Sequence, residues 1–443
     1  MVAYHAQYAW RGGESADERV RFEVSGGVIS SVEVGVEARP GDVVIRGLVM
    51  PGLVNAHSHA FHRALRGITH AGSGDFWSWR EPMYAIANRL NPDNYRALAT
   101  AVFAEMALAG ITGVGEFHYV HHPVGGGRYD DPNAMGRAMV DAAGTAGVRL
   151  ALLDVAYLHA GLDKPEPLPE QARFSDGSMD AWLDRVDALG EGGEGWTVGL
   201  APHSVRAVHP SDLDDVVANR HGRVVHLHVS EQPAENAACV KATGLTPTGV
   251  LAEAGLLGPH LCAVHATHLT EADIALLGSS GSHVCFCPTT ERDLADGIGP
   301  ARRLVEAGAS LCLGSDSHAM IDLFEEARAV EHDERLITGV RGNHSPASLL
   351  EAATRNGATS LGWAAHGLSV GSPADLIALE LDTVRLASFD ARNAAAHVVH
   401  AAAPGDVRDV WVAGRQVVAN RNHASIGDVP GALRSAIASV VTL

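Results

Sequence analysis

Pro51-Gly52-Leu53-Val54-Asn55-Ala56-His57-Ser58-His59 passes from a Pro-Gly break through a short apolar segment into two imidazoles. Residues two apart on a strand project to the same side, so His57 and His59 can address a single point. In a chain of 443 residues with 25 histidines, one His-x-His is weak evidence. It gains weight from what surrounds it. Eight apolar runs recur along the chain: Gly47–His57, Gly110–His118, Val148–Leu158, Thr197–His203, Arg223–His228, Leu261–His265, His283–Cys287 and Ser310–Asp316. Ala- and Leu-rich helical segments separate them, the pattern of repeated βα units on a parallel sheet. Eight such units predict an α/β fold, a (β/α)₈ TIM-like barrel with its chemistry at the carboxyl ends of the strands. Seven of the eight runs end in, or are followed at once by, His, Asp or Glu. Chance would scatter those residues along strands and helices alike.

The first fifty residues have a different texture, with short alternating strands and Gly-rich turns such as Phe22–Val24, Gly26-Gly27 and Val28–Val34. The last seventy resume it, in Gly371-Ser372-Pro373-Ala374-Asp375-Leu376-Ile377-Ala378-Leu379 and in Val410–Arg415. Two segments read as loops over the barrel mouth: Val124–Arg128, and the Pro/Gly/acid-rich Gly161–Gly195 with a helix around Met179–Leu189. There is no internal repeat and no low-complexity tract.

Composition narrows the function. A hydrophobic fraction of 46% is that of a globular protein. No run reaches the 18 or so uninterrupted apolar residues of a membrane span, and no secretory signal opens the chain. The formal charge is −19, and Lys164 and Lys241 are the only lysines. That balance excludes nucleic acid and anionic membrane as partners. It does not exclude an anionic substrate, because screening over about 8 Å leaves the local charge at the site in control. Cys239, Cys262, Cys285, Cys287 and Cys312 are odd in number, and four lie in apolar runs. They read as buried free thiols in a cytoplasmic protein. Cys285-Phe286-Cys287 reads as strand core rather than as a metal pair.

Three further motifs share the His57-x-His59 setting: His226-Leu227-His228 with Glu231 three residues on, His265 in Val264–His268, and Asp316 in Leu313–His318. Together they offer several imidazoles and two carboxylates at the ends of strands one, five, six and eight. Imidazoles and one carboxylate around an ion with an open position lower the pKa of its water from 15.7 to about 7. A second carboxylate off the ion can shuttle protons.

These motifs resemble the amidohydrolase superfamily in its mononuclear deaminase branch, over nearly the whole chain. A narrower similarity is to the formimidoylglutamate deiminases of histidine degradation. It rests on His57–Ala64, Phe76-Trp77-Ser78-Trp79-Arg80, Glu116–His122 and Cys287-Pro288-Thr289-Thr290-Glu291. The resemblance implies a small β-sandwich built from 1–50 and 369–443 beside a catalytic barrel of 51–368. It implies one zinc (with iron as the other option) on His57, His59, His228 and Asp316, with Glu231 and His265 as the catalytic pair beside them. No lysine lies in the fourth run, where binuclear members carry a carbamylated one, which supports a single metal. In this reading Asp316 takes a proton from the attacking water. Glu231 holds the imino nitrogen and passes protons to it, so that ammonia leaves, and His265 stabilises the tetrahedral intermediate.

The implied substrate, N-formimidoyl-L-glutamate, carries two carboxylates, which call for fork-shaped cations and neutral donors. The family-like positions are His62, Arg80, Tyr119, His203 and Arg206. At His62 this chain departs from the glutamine of the family's pattern, which opens the alternative of another acidic formimino compound. A deaminase of a purine, pterin or triazine ring would want the stacking surface of Phe76, Trp77 and Trp79 and few arginines. A non-catalytic binding barrel would be expected to have lost ligand positions, and none is missing. A homodimer is the expected assembly.

Overall fold

Every one of the eight apolar runs contains a strand of one parallel sheet. The strands are β1 (Leu53–Ser58), β2 (Ile111–His118), β3 (Arg149–Ala156), β4 (Trp196–Pro202), β5 (Val225–Val229), β6 (Leu261–His265), β7 (His283–Phe286) and β8 (Ser310–Leu313). They pair in chain order, and a parallel bridge between Ser58 and Asp316 carries the last strand back to the first. The computed structural model describes residues 1–69 and 76–441. The Phe76, Trp77 and Ser78 side chains named above lie outside what is described.

Parallel strands of a barrel are covered on both faces, by the interior on one side and helices on the other. β2 is accordingly buried at all of its positions, polar Thr112, Glu116 and His118 included. The first run is divided, contrary to a single-strand reading. Its Gly47–Pro51 part completes a strand, Val43–Pro51, that belongs to a second sheet, and β1 starts only at Leu53. The break falls at Gly52, where a Cβ would stand 2.1 Å from Thr112 Oγ1.

That second sheet has eight strands from both ends of the chain. The halves join where Val43–Pro51 pairs antiparallel with Leu376–Leu379. The sheet folds over a core of its own in which Tyr4 stacks on Phe22 at 5.3 Å and meets Trp411 edge-on at 5.8 Å. The Ile29 N–H donates to Ser372 O at 2.9 Å across the fold. The C-terminal segment also holds two helices that leave the sheet, against the purely strand-like texture read for it. Ala394–Ala401 packs on the Leu323–Thr338 and Pro346–Glu351 helices, and Val429–Val440 on the Pro92–Leu108 helix. Their apolar sequences, Ala394-Ala395-Ala396-His397-Val398-Val399 for one, carry helical as well as strand character.

The Gly161–Gly195 segment contains a 3-10 helix, Pro169–Phe174, and the helix Met179–Asp187. All five cysteines are buried and free, and four of them form an interior cluster with Ala56 and Val264. No helix among the described residues is long and apolar enough to cross a membrane.

Candidate active site

Four side chains from three strand ends converge inside the carboxyl end of the barrel. His57 and His59 come from β1 and the residue after it, His228 from β5, and Asp316 from the turn after β8. His228 Nε2 lies 3.3 Å from His57 Nε2, and Asp316 Oδ1 lies 3.5 Å from His57 Nε2 and 3.3 Å from His59 Nε2. Ligand atoms about 2.1 Å from a tetrahedral ion stand about 3.4 Å apart, so this spacing fits one ion. The far ring nitrogens support it. His59 Nδ1–H donates to Phe117 O and His228 Nδ1–H to His203 O, each at 3.0 Å, which turns the Nε2 lone pairs inward. Burial pushes all three imidazoles down, His59 to about 3, and so keeps them neutral. Burial alone would raise Asp316, but His57, His59 and His265 hold it well below the usual carboxylate range. Three neutral imidazoles and an ionised carboxylate are the donor set of a catalytic zinc-type site.

The backbone is bent to deliver these groups. Ser230, His265 and Asp316 have φ of 52°, 69° and 41°, left-handed values that non-glycine residues rarely adopt. Such strain clusters where side chains must be aimed. Gly314 lets the last turn approach β1: a Cβ there would sit 2.8 Å from His57 O.

Glu231 and His265 stand beside the convergence, outside the ligand spacing. His265 Nε2 is 3.7 Å from Glu231 Oε1 and 3.8 Å from Asp316 Oδ2. Its Nδ1 meets Glu291 Oε1 at 3.3 Å. Burial would depress this imidazole, yet Glu231, Glu291 and Asp316 together push it up to about 10, so it is an imidazolium. Burial, opposed by His265, moves Glu231 up to about 7, the range of a proton shuttle near neutrality.

Above these groups a cavity is lined by all five substrate candidates, His62, Arg80, Tyr119, His203 and Arg206. His62 Nε2 lies 2.7 Å from the Tyr119 hydroxyl, and its Nδ1 has no partner among the described residues. Burial keeps His62 and His203 neutral. Arg206 Nε is buried without a hydrogen-bond partner among the described residues. His226, which shares a His-x-His with His228, turns away to Ser360 O at 2.8 Å. Cys287 lies near His265 and Asp316 but outside the four-atom convergence.

The amidohydrolase family profile matches residues 48–417. The chain belongs to the amidohydrolase family. It is therefore a hydrolase of carbon–nitrogen bonds in a metal-dependent family. A formimidoylglutamate deiminase from Pseudomonas aeruginosa is 38% identical over 419 residues, covering 91% of this chain and 92% of that one. Among solved structures, an amidohydrolase from Brucella melitensis superposes with a TM-score of 0.90 at 32% identity, over 100% of both chains. An adenosine deaminase from Xanthomonas campestris with bound zinc gives 0.85 at 26% identity, over 99% of this chain and 97% of that one. The barrel with its flanking sheet is thus the family's fold.

Several groups in and around the site were not singled out from sequence. Glu116 and Glu291 stand inside quoted motifs, but nothing local shows what each touches. Tyr84, Tyr157 and Gln171 come from separate segments. A carboxylate two to six residues beyond a strand end was the one available signal, and it applied to Glu291 as it did to Glu231.

Proposed function

We infer that this enzyme hydrolyses N-formimidoyl-L-glutamate to N-formyl-L-glutamate and ammonia, as a cytoplasmic step of histidine breakdown. The observation that carries the reading is the cavity's polarity: Arg80 and Arg206 line the cavity over a cluster of imidazoles and acids. Two guanidiniums suit a dicarboxylate and have no equivalent task toward a neutral purine. The 38% identity to a formimidoylglutamate deiminase supports the same substrate.

His57, His59, His228 and Asp316 would hold one divalent ion, zinc by their chemistry. When bound, such an ion supplies the Lewis acidity that readies water for attack near neutral pH. Asp316 takes the proton the attacking water gives up. Glu231 faces the imino nitrogen, holds it by a hydrogen bond and returns protons to it. Water thereby adds across the C=N bond, the C–NH₂ bond breaks, and ammonia leaves with the formyl oxygen retained on carbon. His265, kept as an imidazolium, stabilises charge that develops on the attacking oxygen. Arg80 and Arg206 bind the carboxylates, with His62, Tyr119 and His203 as neutral partners. A soluble homodimer is the assembly we expect.

The test is ammonia release by zinc-loaded protein from N-formimidoyl-L-glutamate, N-formimidoyl-L-aspartate and adenosine. Turnover of the glutamate compound at least tenfold above the others is expected. Preference for the aspartate compound would mark His62 as a specificity change, and preference for adenosine would overturn the reading.

A further inference from the structure

The candidate metal ligands come from segments far apart in the chain, and one seam between them is held by side chains that the reaction does not use. His57 and His59 belong to the end of β1, and Asp316 to the turn after β8. Their backbones interlock at the seam. The Asp316 N–H donates to His57 O at 3.1 Å, and the His59 N–H donates to Asp316 O at 3.3 Å. The turn that allows this is strained, because Asp316 and His318 both take left-handed φ, 41° and 57°. Non-glycine residues keep such a conformation only where their surroundings over-determine it.

Here the surroundings are a chain of fully buried polar side chains, Asn55, Ser315, His318 and Ser58. Asn55, two residues before His57 on β1, binds Ser315 twice. Its Oδ1 accepts the Ser315 N–H at 2.9 Å, and its Nδ2 donates to Ser315 Oγ at 2.7 Å. Ser315 Oγ lies 3.0 Å from His318 Nδ1, and His318 Nε2 lies 3.1 Å from Ser58 Oγ. The His318 ring therefore spans the seam, from the residue before Asp316 to the residue between His57 and His59. An uncharged imidazole offers one donor and one acceptor, which two hydroxyls on opposite sides can both use. Both ring nitrogens are spent on this span, so the ring has nothing left with which to touch substrate or ion. The far ends are tied down as well. Ser58 Oγ meets Glu116 Oε2 at 2.7 Å, and His318 O accepts the Arg66 Nε–H at 2.8 Å.

Resting on the metal site proposed above, we propose that His318 is a positioning residue of the metal centre, a strut that with Asn55 and Ser315 fixes the Asp316 carboxylate against His57 and His59. It acts through the backbone on either side of the ligands rather than through the ligands' own rings. Partners that orient a ligand set are worth about 10- to 100-fold in metal affinity. A side chain that merely filled space at the seam would affect folding and leave that affinity alone.

The experiment uses the full chain carrying His318→Phe, which keeps a ring and removes both hydrogen bonds. His318→Asn and His318→Gln accompany it, since their amides reach the Nδ1 and Nε2 positions and keep one bond each. Co²⁺ is the probe: its Kd is measured by chelator competition, and its visible absorption reports the geometry of its ligands. The urea unfolding midpoint of the metal-free proteins is measured beside them. We expect Co²⁺ to bind His318→Phe about 10- to 100-fold more weakly than wild type, with altered visible bands. His318→Asn and His318→Gln should fall between the two. A wild-type Kd and spectrum in His318→Phe would overturn the strut, whatever happens to the unfolding midpoint. If His318→Phe does not fold, the two amide variants decide: weaker Co²⁺ binding supports the strut, and wild-type binding overturns it. Wild-type protein that binds no Co²⁺ refutes the metal site itself, and the strut with it.

Discussion

Glu291 Oε1 sits 3.3 Å from His265 Nδ1 and also accepts the Cys287 N–H at 2.9 Å, so the carboxylate is pinned to the end of β7 and in turn pins the imidazole. With Nδ1 taken, the other ring nitrogen faces Glu231 and Asp316. The negative charge of Glu291 is one of the three that keep His265 protonated. Glu291→Gln keeps the shape and removes the charge. The expected result is a fall in kcat of about 10- to 100-fold, the usual cost of losing an orienting partner. The alkaline limb of the kcat profile should also move to lower pH, because the imidazolium loses a stabilising neighbour. A lower kcat with an unmoved limb would mean that Glu291 orients the ring without tuning its charge.

The convergence of three Nε2 atoms and one carboxylate oxygen predicts a metal stoichiometry. Elemental analysis of the purified protein should give close to one divalent ion per chain. His228→Ala should lower that figure several-fold and reduce turnover by about a thousandfold or more, the factor that several kcal/mol of Lewis-acid stabilisation represents. Dialysis against a chelator should abolish turnover and added zinc should restore it. Two ions per chain would contradict the reading of a mononuclear site.

Much of this arrangement was legible in the residues because barrel strands state their own direction. β5 carries His228 one residue before its end at Val229 and β6 ends in His265, and only the carboxyl end of such a strand lines the mouth. What escaped was carried by contacts between distant segments. Tyr84 lies four residues after Arg80 on a helix, yet its meaning depends on Gln171, which reaches it from 87 residues away. Glu116 looks like a stray acid in an apolar run until Ser58 is seen beside it. Gly47–His57 looked like one strand, because nothing in its composition reveals that Gly52 must clear Thr112. The helices of the C-terminal segment were missed for a related reason: Ala- and Val-rich sequence takes the structure its neighbours allow.

A second buried ionic cluster lies away from the site and should carry stability. Arg185 donates to Asp154 Oδ1 and Oδ2 at 2.8 Å each and to Asp176 at 2.9 Å, while His122 Nε2 reaches Asp176 at 3.0 Å. The Arg185, Asp154 and Asp176 side chains are 4%, 0% and 2% exposed. Arg185→Leu would leave two carboxylates buried without their cation, at a cost of about 3–5 kcal/mol in denaturant unfolding. Burial alone would raise Asp176, but His122 and Arg185 hold it at about 2 against an ordinary 3.8. A depressed carboxylate contributes its stability above its unfolded value and loses it as pH falls through the folded one. The gap between wild type and Asp176→Asn should therefore close as pH drops from about 4 to about 2.

Glu116 makes the opposite prediction. Its Oε2 is 2.7 Å from Ser58 Oγ and its Oε1 accepts the Ala60 N–H at 2.7 Å, while Ser58 Oγ continues to His318 Nε2 at 3.1 Å. Burial pushes this carboxyl up to about 8 from an ordinary 4.5, against the pull of those two bonds. Between those values the folded state holds a proton that the unfolded chain releases, so stability falls as pH rises through the window. Glu116→Gln can repeat both bonds, with Oε1 accepting from Ala60 and Nε2 donating to Ser58, and it has no proton to lose. Its stability relative to wild type, read from urea unfolding at pH 5 and at pH 8, should improve by up to about 1.4 kcal/mol for each pH unit. An equal difference at both pH values would show that Glu116 is ionised throughout. The chain from Glu116 through Ser58 to His318 would then be organised around a buried anion rather than around a shared proton.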